Sequence, residues 1–490
     1  MATTFGIHVG NTSACLAVSK DGKTDVVAAP TGDRTTPSVV SFTDTEIIVG
    51  LAAKQGRIRN MANTVVNNNK LLLGRAEQEE IDASPVTITE EDGKRFYEVD
   101  YMEKEHKTSP AEVMGHIFAY LHSIADTHCK DVDESNCVLA VPLDYTSEQR
   151  DMVTKIAVGV GFKVVQVISD PAAACLAYGL GQQDQGEREH VLVYRAGGLT
   201  TDLSVVLVAG GCYTVLESIA LDGLGGQQVT EVLVKFLGGE FKAKYHEDIL
   251  QHKKGKAKLG AQAETVKHVL STLDTAHCYI ESLFDGMDFS SNVTRARFDN
   301  QLSSVLSDLM APVDALLDQV KLEPEDISKV ILVGGTAKVV KLQKTLANYF
   351  PDAEVLSDLP PDEVLAYGAS VQASHISREP GLGARENMMA VSQAISAAVV
   401  GGGQTLVICA DSPLPVKRSV PLVATGDSTT VELVWGTKGT VLTSLVLATT
   451  DKSRLSLSLH IHRDGSSHAV LQDKTAGISS SAMLTPAGSG

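Results

Sequence analysis

Two segments far apart in the chain repeat one device. The first is Phe5-Gly6-Ile7-His8-Val9-Gly10-Asn11-Thr12-Ser13-Ala14-Cys15-Leu16-Ala17-Val18. The second is Leu192-Val193-Tyr194-Arg195-Ala196-Gly197-Gly198-Leu199-Thr200-Thr201-Asp202-Leu203-Ser204-Val205. Each reads as strand, tight Gly/Thr turn, strand. A turn of that composition aims backbone N–H groups and hydroxyls at phosphate oxygens. The repeat predicts two similar lobes facing one cleft. Two residues before each turn glycine, where a carboxylate would help hold hydrated Mg²⁺, stand His8 and Arg195. The pair predicts a chain that holds a nucleotide and is poorly equipped to hydrolyse it.

The surrounding sequence is α/β. Val138–Pro142 and Lys329–Gly335 read as buried strands. Ser109-Pro110-Ala111-Glu112 starts a helix with Ser as N-cap, Pro at N1 and Glu at N3. Val113, Ile117, Tyr120, Leu121 and Ile124 then keep helical spacing, and Thr146–Gln149 forms a second capping box. This pattern ends near residue 376. Residues 377–390 read as a linker by their Pro and Gly content. Residues 391–478 read as a small antiparallel β domain without a following helical region. Its clearest strand is Leu455–His462, which alternates strictly, with others at Thr405–Ala410, Val431–Trp435 and Val441–Leu447. Residues 479–490 are small and polar and read as a disordered tail.

Charge narrows the partners. Lys+Arg 42 against Asp+Glu 60 gives −18, which disfavours strong direct nucleic-acid binding. The seven cysteines show no zinc spacing and read as reduced, packed thiols of a cytosolic protein. No apolar stretch is long enough to span a bilayer.

Four further elements join the hairpins. Asp170–Gly179 leads from a strand into a small-residue helix. Val333-Gly334-Gly335-Thr336-Ala337-Lys338 ends a strand in a Gly pair, which lets a ligand approach the backbone. Pro361–Ala369 opens a second small-residue helix, and Lys70 precedes Leu71-Leu72-Leu73-Gly74-Arg75. On this ordered set the chain resembles the heat shock protein 70 family of actin-fold chaperones, and within it the truncated, ribosome-associated members. The resemblance covers essentially the whole chain, strongly to about residue 376 and weakly beyond.

The resemblance implies a two-lobed actin-like ATPase fold that binds ATP or ADP, then a β domain without the usual helical lid. Carried over, phosphate contacts fall on Thr12, Thr200 and the Gly225-Gly226 turn, with Asn11 and Ser13 as altered but polar turn positions. Adenosine contacts fall on Glu264, Lys267, Ser271, Gly334, Gly335, Lys338 and Asp362. Lys338 and His268 replace family arginines. Lys70 falls on the lysine that assists phosphoryl transfer and is the one catalytic candidate. The family's Mg²⁺ shell of four carboxylates maps onto His8, Asp170, Arg195 and Asp202, so only Asp170 and Asp202 remain, acting through water if the metal binds. Arg195 is expected to pair with Asp170, Asp202 or a phosphate, neutralising charge without a metal. Pro142 and Arg150 match positions that relay nucleotide state, whereas Glu386-Asn387-Met388-Met389-Ala390-Val391 departs from the family's leucine-rich linker.

The resemblance further implies a J-domain partner at the ribosome, with indirect contact to nascent chains, and a place in the cytosol. Three rivals stay open: an active ATP-hydrolysing peptide-binding chaperone, an actin-fold small-molecule kinase, and a scaffold with a vestigial cleft. His8 also fits a packed histidine, Arg195 a plain salt-bridge partner and Lys70 a solvated lysine. The run Lys253, Lys254, Lys256, Lys258 fits a solvated helix face.

Overall fold

Both turn segments lie between neighbouring strands. The computed structural model describes residues 3–129, 134–181, 188–209, 212–377, 391, 393–409, 412, 416–436, 439–450, 453–462 and 466–484. Thr4–Val9 pairs antiparallel with Ser13–Lys20, placing His8 opposite Cys15. In the second copy Arg188–Ala196 lies beside Thr200–Ala209.

The repeat extends to the sheets built on these strands. The first runs in the order Lys163–Ser169, Asn136–Val141, Thr4–Val9, Ser13–Lys20, Lys23–Val26, with Thr35–Pro37 also on Ser13–Lys20. The second runs Glu354–Leu356, Ile327–Val333, Arg188–Ala196, Thr200–Ala209, Cys212–Asp222. Each places two later strands on the free edge of the first strand of the repeated pair. Those later strands pair in parallel, which demands a crossover. Ser147–Gly159 and Val340–Tyr349 supply it as helices.

Local chemistry starts the helices where the sequence predicts. The Ser109 hydroxyl accepts from Glu112 N at 3.2 Å while Glu112 accepts from Ser109 N at 2.7 Å, opening Pro110–His128. Val113, Ile117, Leu121 and Ile124 are buried, and Tyr120 is partly buried against the same core. The first core gathers Phe5, Ile7, Phe118 and Phe162; the second gathers Tyr194, Leu237, Phe241 and Phe289. Six of the seven cysteines are buried and outside any disulfide.

Two small-residue helices, Asp170–Ala177 and Val364–Ser377, meet at backbone distance. A Cβ on Gly368 would overlap the Ala173 carbonyl, whose carbon would be 2.7 Å away. A Cβ on Gly6 would sit 2.7 Å from the Ala369 carbonyl carbon. Glycine and alanine in these segments are therefore packing requirements.

The C-terminal strands form two four-stranded antiparallel sheets. One is ordered Gln404–Ile408, Ile395–Val399, Ser428–Trp435, Thr440–Ala448; the other Val416–Val423, Arg454–Ile461, Ser467–Asp473, Ile478–Met483. Leu455, Leu457, Leu459 and Ile461 are buried in a core shared with Ile395, Leu433 and Leu471. The expected tail over 479–490 is corrected here: Ile478–Met483 is a strand paired with Ser467–Asp473. An edge strand is held by backbone hydrogen bonds, so a serine-rich segment can form it without an apolar pattern, and Ala482 and Leu484 still pack on the core. Residues 485–490, and 378–390 of the expected linker, lie outside the described residues. Among the described residues after Ser377 there is no helix, and no described helix is long and apolar enough to cross a membrane.

By packing, the chain groups into two units: 1–177, 192–205 and 217–378 in one, and 178–191, 206–216 and 379–490 in the other. Gly368→Ala should destabilise the first unit by about 1–3 kcal/mol in urea unfolding. Gly159→Ala, where a Cβ meets nothing within 4 Å, should be neutral or stabilising. Equal effects would contradict the backbone packing.

Candidate nucleotide-binding site

The two turns have the same internal bond and touch each other. Gly10 N donates to Ser13 O at 2.9 Å, and Gly197 N donates to Thr200 O at 2.8 Å. A Cβ on Gly198 would strike the Thr12 side chain, 3.0 Å from its Cβ. The helix Gly226–Tyr245 is seated on the second turn: Gly226 N donates to Gly197 O at 2.9 Å and Gln227 N to Gly198 O at 2.8 Å. Thr336 donates to Gly197 O at 2.8 Å. Gly334 has φ 87°, and a Cβ there would lie 2.7 Å from the Ala196 carbonyl carbon. Thr12, the second turn, Gly225-Gly226 and Gly334-Gly335 thus form one backbone-lined wall. The missing side chains at Gly198, Gly225, Gly226 and Gly334 let these backbones meet, and the N–H groups of Gly226 and Gln227 are spent on holding the second turn in place.

Beside this wall lies a narrow pocket. Its lining includes Asn11, Lys70, Arg75, Tyr145, Arg195, Thr200, Asp202 and Asp222. Ser13 contributes its carbonyl to the turn.

Arg195 sits between the two remaining acids. Its Nε lies 3.0 Å from Asp170 Oδ2, and its Nη1 donates to Asp202. The side chains of Arg195 and Asp170 are only 10% and 4% exposed. Burial disfavours the guanidinium charge, but Asp202 and Asp170 outweigh it and raise its pKa, so it stays protonated. His8 Nδ1 lies 3.2 Å from the Ala140 carbonyl, an obligate acceptor, so that nitrogen carries the proton. It is also 3.7 Å from Asp170 Oδ1. Burial pushes His8 below its ordinary pKa, with Asp170 opposing and Arg195 reinforcing, so His8 is neutral at pH 7. Neither Asp170 oxygen has a hydrogen-bond partner among the described residues; its contacts are ionic.

This donor set does not fit Mg²⁺. The ion wants oxygen ligands and ordered water, usually through carboxylates. Here the two carboxylates share a guanidinium, and no group of three His, Cys, Asp or Glu among the described residues is placed to hold a metal.

Lys70 is buried and reaches Glu80 Oε1 at 2.5 Å. It is neither a solvated lysine nor an unpaired one. On the other side, Glu264, Lys267 and Ser271 recur at helical spacing on and just after Lys253–Leu270. Lys267 Nζ donates to Gly226 O at 3.1 Å and to the Thr230 hydroxyl at 2.8 Å. Ser271 Oγ donates to Lys267 O at 3.2 Å. Glu264 pairs with Lys54 at 3.1 Å; burial raises its pKa, but Lys54, Lys267 and His268 hold the carboxyl below its ordinary range. Lys338 pairs with Asp362 at 2.7 Å, and His268 is exposed, 3.8 Å from Glu264. In the basic run, Lys256 lies 3.6 Å from Glu231 and Lys258 donates to Ser282 O at 2.7 Å.

Sequence reasoning missed Glu80, Lys54, Thr230, Tyr145 and Asp222. Lys54, Tyr145 and Asp222 join the site through tertiary contact, Glu80 reaches it from a capping box of its own helix, and Thr230 sits one turn along the helix that Gly226 opens. Thr336 was visible inside the Gly-pair segment, but its bond to Gly197 was not.

Lys267 gives the site a measurable signature. Burial pushes it down from 10.5 to about 8, with Glu264 opposing and Lys54 reinforcing. Between those values the unfolded chain holds a proton at Lys267 that the folded chain has released, so stability rises with pH across the window. Urea unfolding through that range should show the slope in the native chain and a flatter one in Lys267→Met. Identical slopes would contradict the burial.

The comparisons with known proteins agree with this architecture. The profile described as Hsp70 protein matches residues 4–430. Heat shock 70 kDa protein 14-A of Xenopus laevis is 37% identical, over 97% of this chain and 98% of that protein. Heat shock 70 kDa protein 14 of Danio rerio is 36% identical over 99% of both, and that of Homo sapiens 36% over 96% of this chain and 97% of its own. With a family profile spanning most of the chain and near full-length relatives above 30% identity, the chain belongs to the heat shock protein 70 family.

Proposed function

We propose that this chain is a chaperone subunit that binds ATP or ADP with little or no hydrolysis and acts through partners. The observation that carries the reading is Arg195, held between Asp170 and Asp202 beside an otherwise intact backbone cradle. Thr12, Thr200 and the Gly225-Gly226 turn would hold the phosphates. Glu264, Lys267, Ser271, Gly334, Gly335, Lys338 and Asp362 would face the nucleoside. Bound ATP supplies a phosphoanhydride; the residues here grip it without a carboxylate pair free to order an attacking water. Losing one positioned electrostatic group costs about 10²–10³ in rate, and His8 and Arg195 replace two. Lys70 is committed to Glu80 rather than open to a leaving phosphate.

The partner we propose is a J-domain protein at the ribosome, the complex helping newly made chains stay folding-competent in the cytosol. The −18 charge supports a division of labour in which the partner makes the RNA contacts. A conventional family member would then run the hydrolytic cycle. The competing reading, an active peptide-binding ATPase, draws on Lys70 in the pocket and on the eight-stranded C-terminal unit.

Two measurements test this. ATP at about a hundredfold over its Kd should stabilise the chain by about 2.7 kcal/mol, while single-turnover assays show no phosphate release. Robust release would establish the rival reading. Tagged chain purified from cytosol should bring down a J-domain protein and sediment with ribosomes; free sedimentation without such a protein would remove the partner proposal.

A further inference from the structure

We propose that this chain takes its nucleoside triphosphate without a divalent cation, the Arg195 guanidinium standing permanently where the ion would sit. The inference rests on the nucleotide-binding reading and specifies the form of the ligand.

Charge is the first argument. Asp170, Asp202, Arg195 and the imidazole of His8 leave one net negative charge in the shell. Four carboxylates would leave four, and a bound Mg²⁺ would still leave two. The substitutions therefore already supply more positive charge than the ion would. A triphosphate meets less repulsion here than in a four-acid shell loaded with metal.

Geometry is the second argument. Arg195 contacts Asp170 through Nε and Asp202 through Nη1. A guanidinium has five N–H donors in a planar fork that matches phosphate oxygens. Among the described residues no side chain takes Nη2, and Arg195 lines the pocket next to Thr200. It can therefore hold both acids and offer a donor to a phosphate at once. A divalent ion in the same place would have to displace Arg195 from both carboxylates, stranding a buried cation.

The two acids also need Arg195. Asp170 is buried without a hydrogen-bond donor among the described residues, so its charge is balanced chiefly by the guanidinium. Arg195 is thus built into the fold, whereas an ion comes and goes with the nucleotide. Its charge would remain in the pocket after the ligand departs.

The test is a calorimetric titration of ATP into the full chain, once with EDTA and once with Mg²⁺. The two affinities should agree within about twofold, an absence of coupling between ion and nucleotide. Binding only with Mg²⁺ overturns the inference and leaves nucleotide binding intact. Binding in neither condition overturns both. Arg195→Asp returns a third carboxylate to the shell and should make ATP binding Mg²⁺-dependent by about tenfold or more, with Mg²⁺ alone raising its melting temperature. Because that variant buries three acids together, Arg195→Gln is the companion. It keeps a polar N–H donor and removes the charge, and its ATP affinity in EDTA should fall by about tenfold. Native affinity in Arg195→Gln, or a metal-independent Arg195→Asp that folds and binds ATP, would count against the proposal.

Discussion

The site depends on backbone surfaces meeting without side chains between them. Gly368 packs on the Ala173 carbonyl, and Gly6 on the turn of helix containing Ala366 and Ala369. Van der Waals contact at that range leaves no room for a methyl group, so the crossing of Asp170–Ala177 and Val364–Ser377 is fixed by composition. The crossing in turn fixes where Asp170 starts one helix and where Asp362 precedes the other. Thr12 against Gly198 and Gly226 against Gly197 continue the same principle at the two turns.

On that frame the electrostatics are closed internally. Arg195 is balanced by Asp170 and Asp202, Lys70 by Glu80, Lys338 by Asp362 and Glu264 by Lys54. A site whose cations are already held by carboxylates can grip an anion through hydroxyls and the remaining Arg195 N–H while offering little spare field for bond breaking. Catalysis needs groups that gain more from the transition state than from the ground state. Cations already bound to carboxylates change little between the two.

Much of this was legible because it is local. Gly/Thr turns, capping boxes at Ser109 and Thr146, and the alternation at Leu455–Ile461 are short-range devices whose geometry follows from a few consecutive residues. The weak points lie where one segment pairs with another. The edge strand Ile478–Met483 escapes notice because its pairing is made by main-chain groups, and its serines carry no alternation. Glu80 escapes because a salt bridge across ten residues obeys no sequence period.

By itself the sequence determined the doubled α/β plan and the positions of both Gly/Thr turns. It determined them because turn conformation, capping and strand alternation are set by neighbours in the chain. Only the tertiary structure decided what Arg195 does with its charge. Asp170, a phosphate and Asp202 were all open partners, and the choice rests on which groups the fold buries together. Asp170 at 4% exposure cannot remain uncompensated, and Asp202 stands beside it on the next strand over from Arg195. The fold therefore made Arg195 a buried cation shared by two carboxylates.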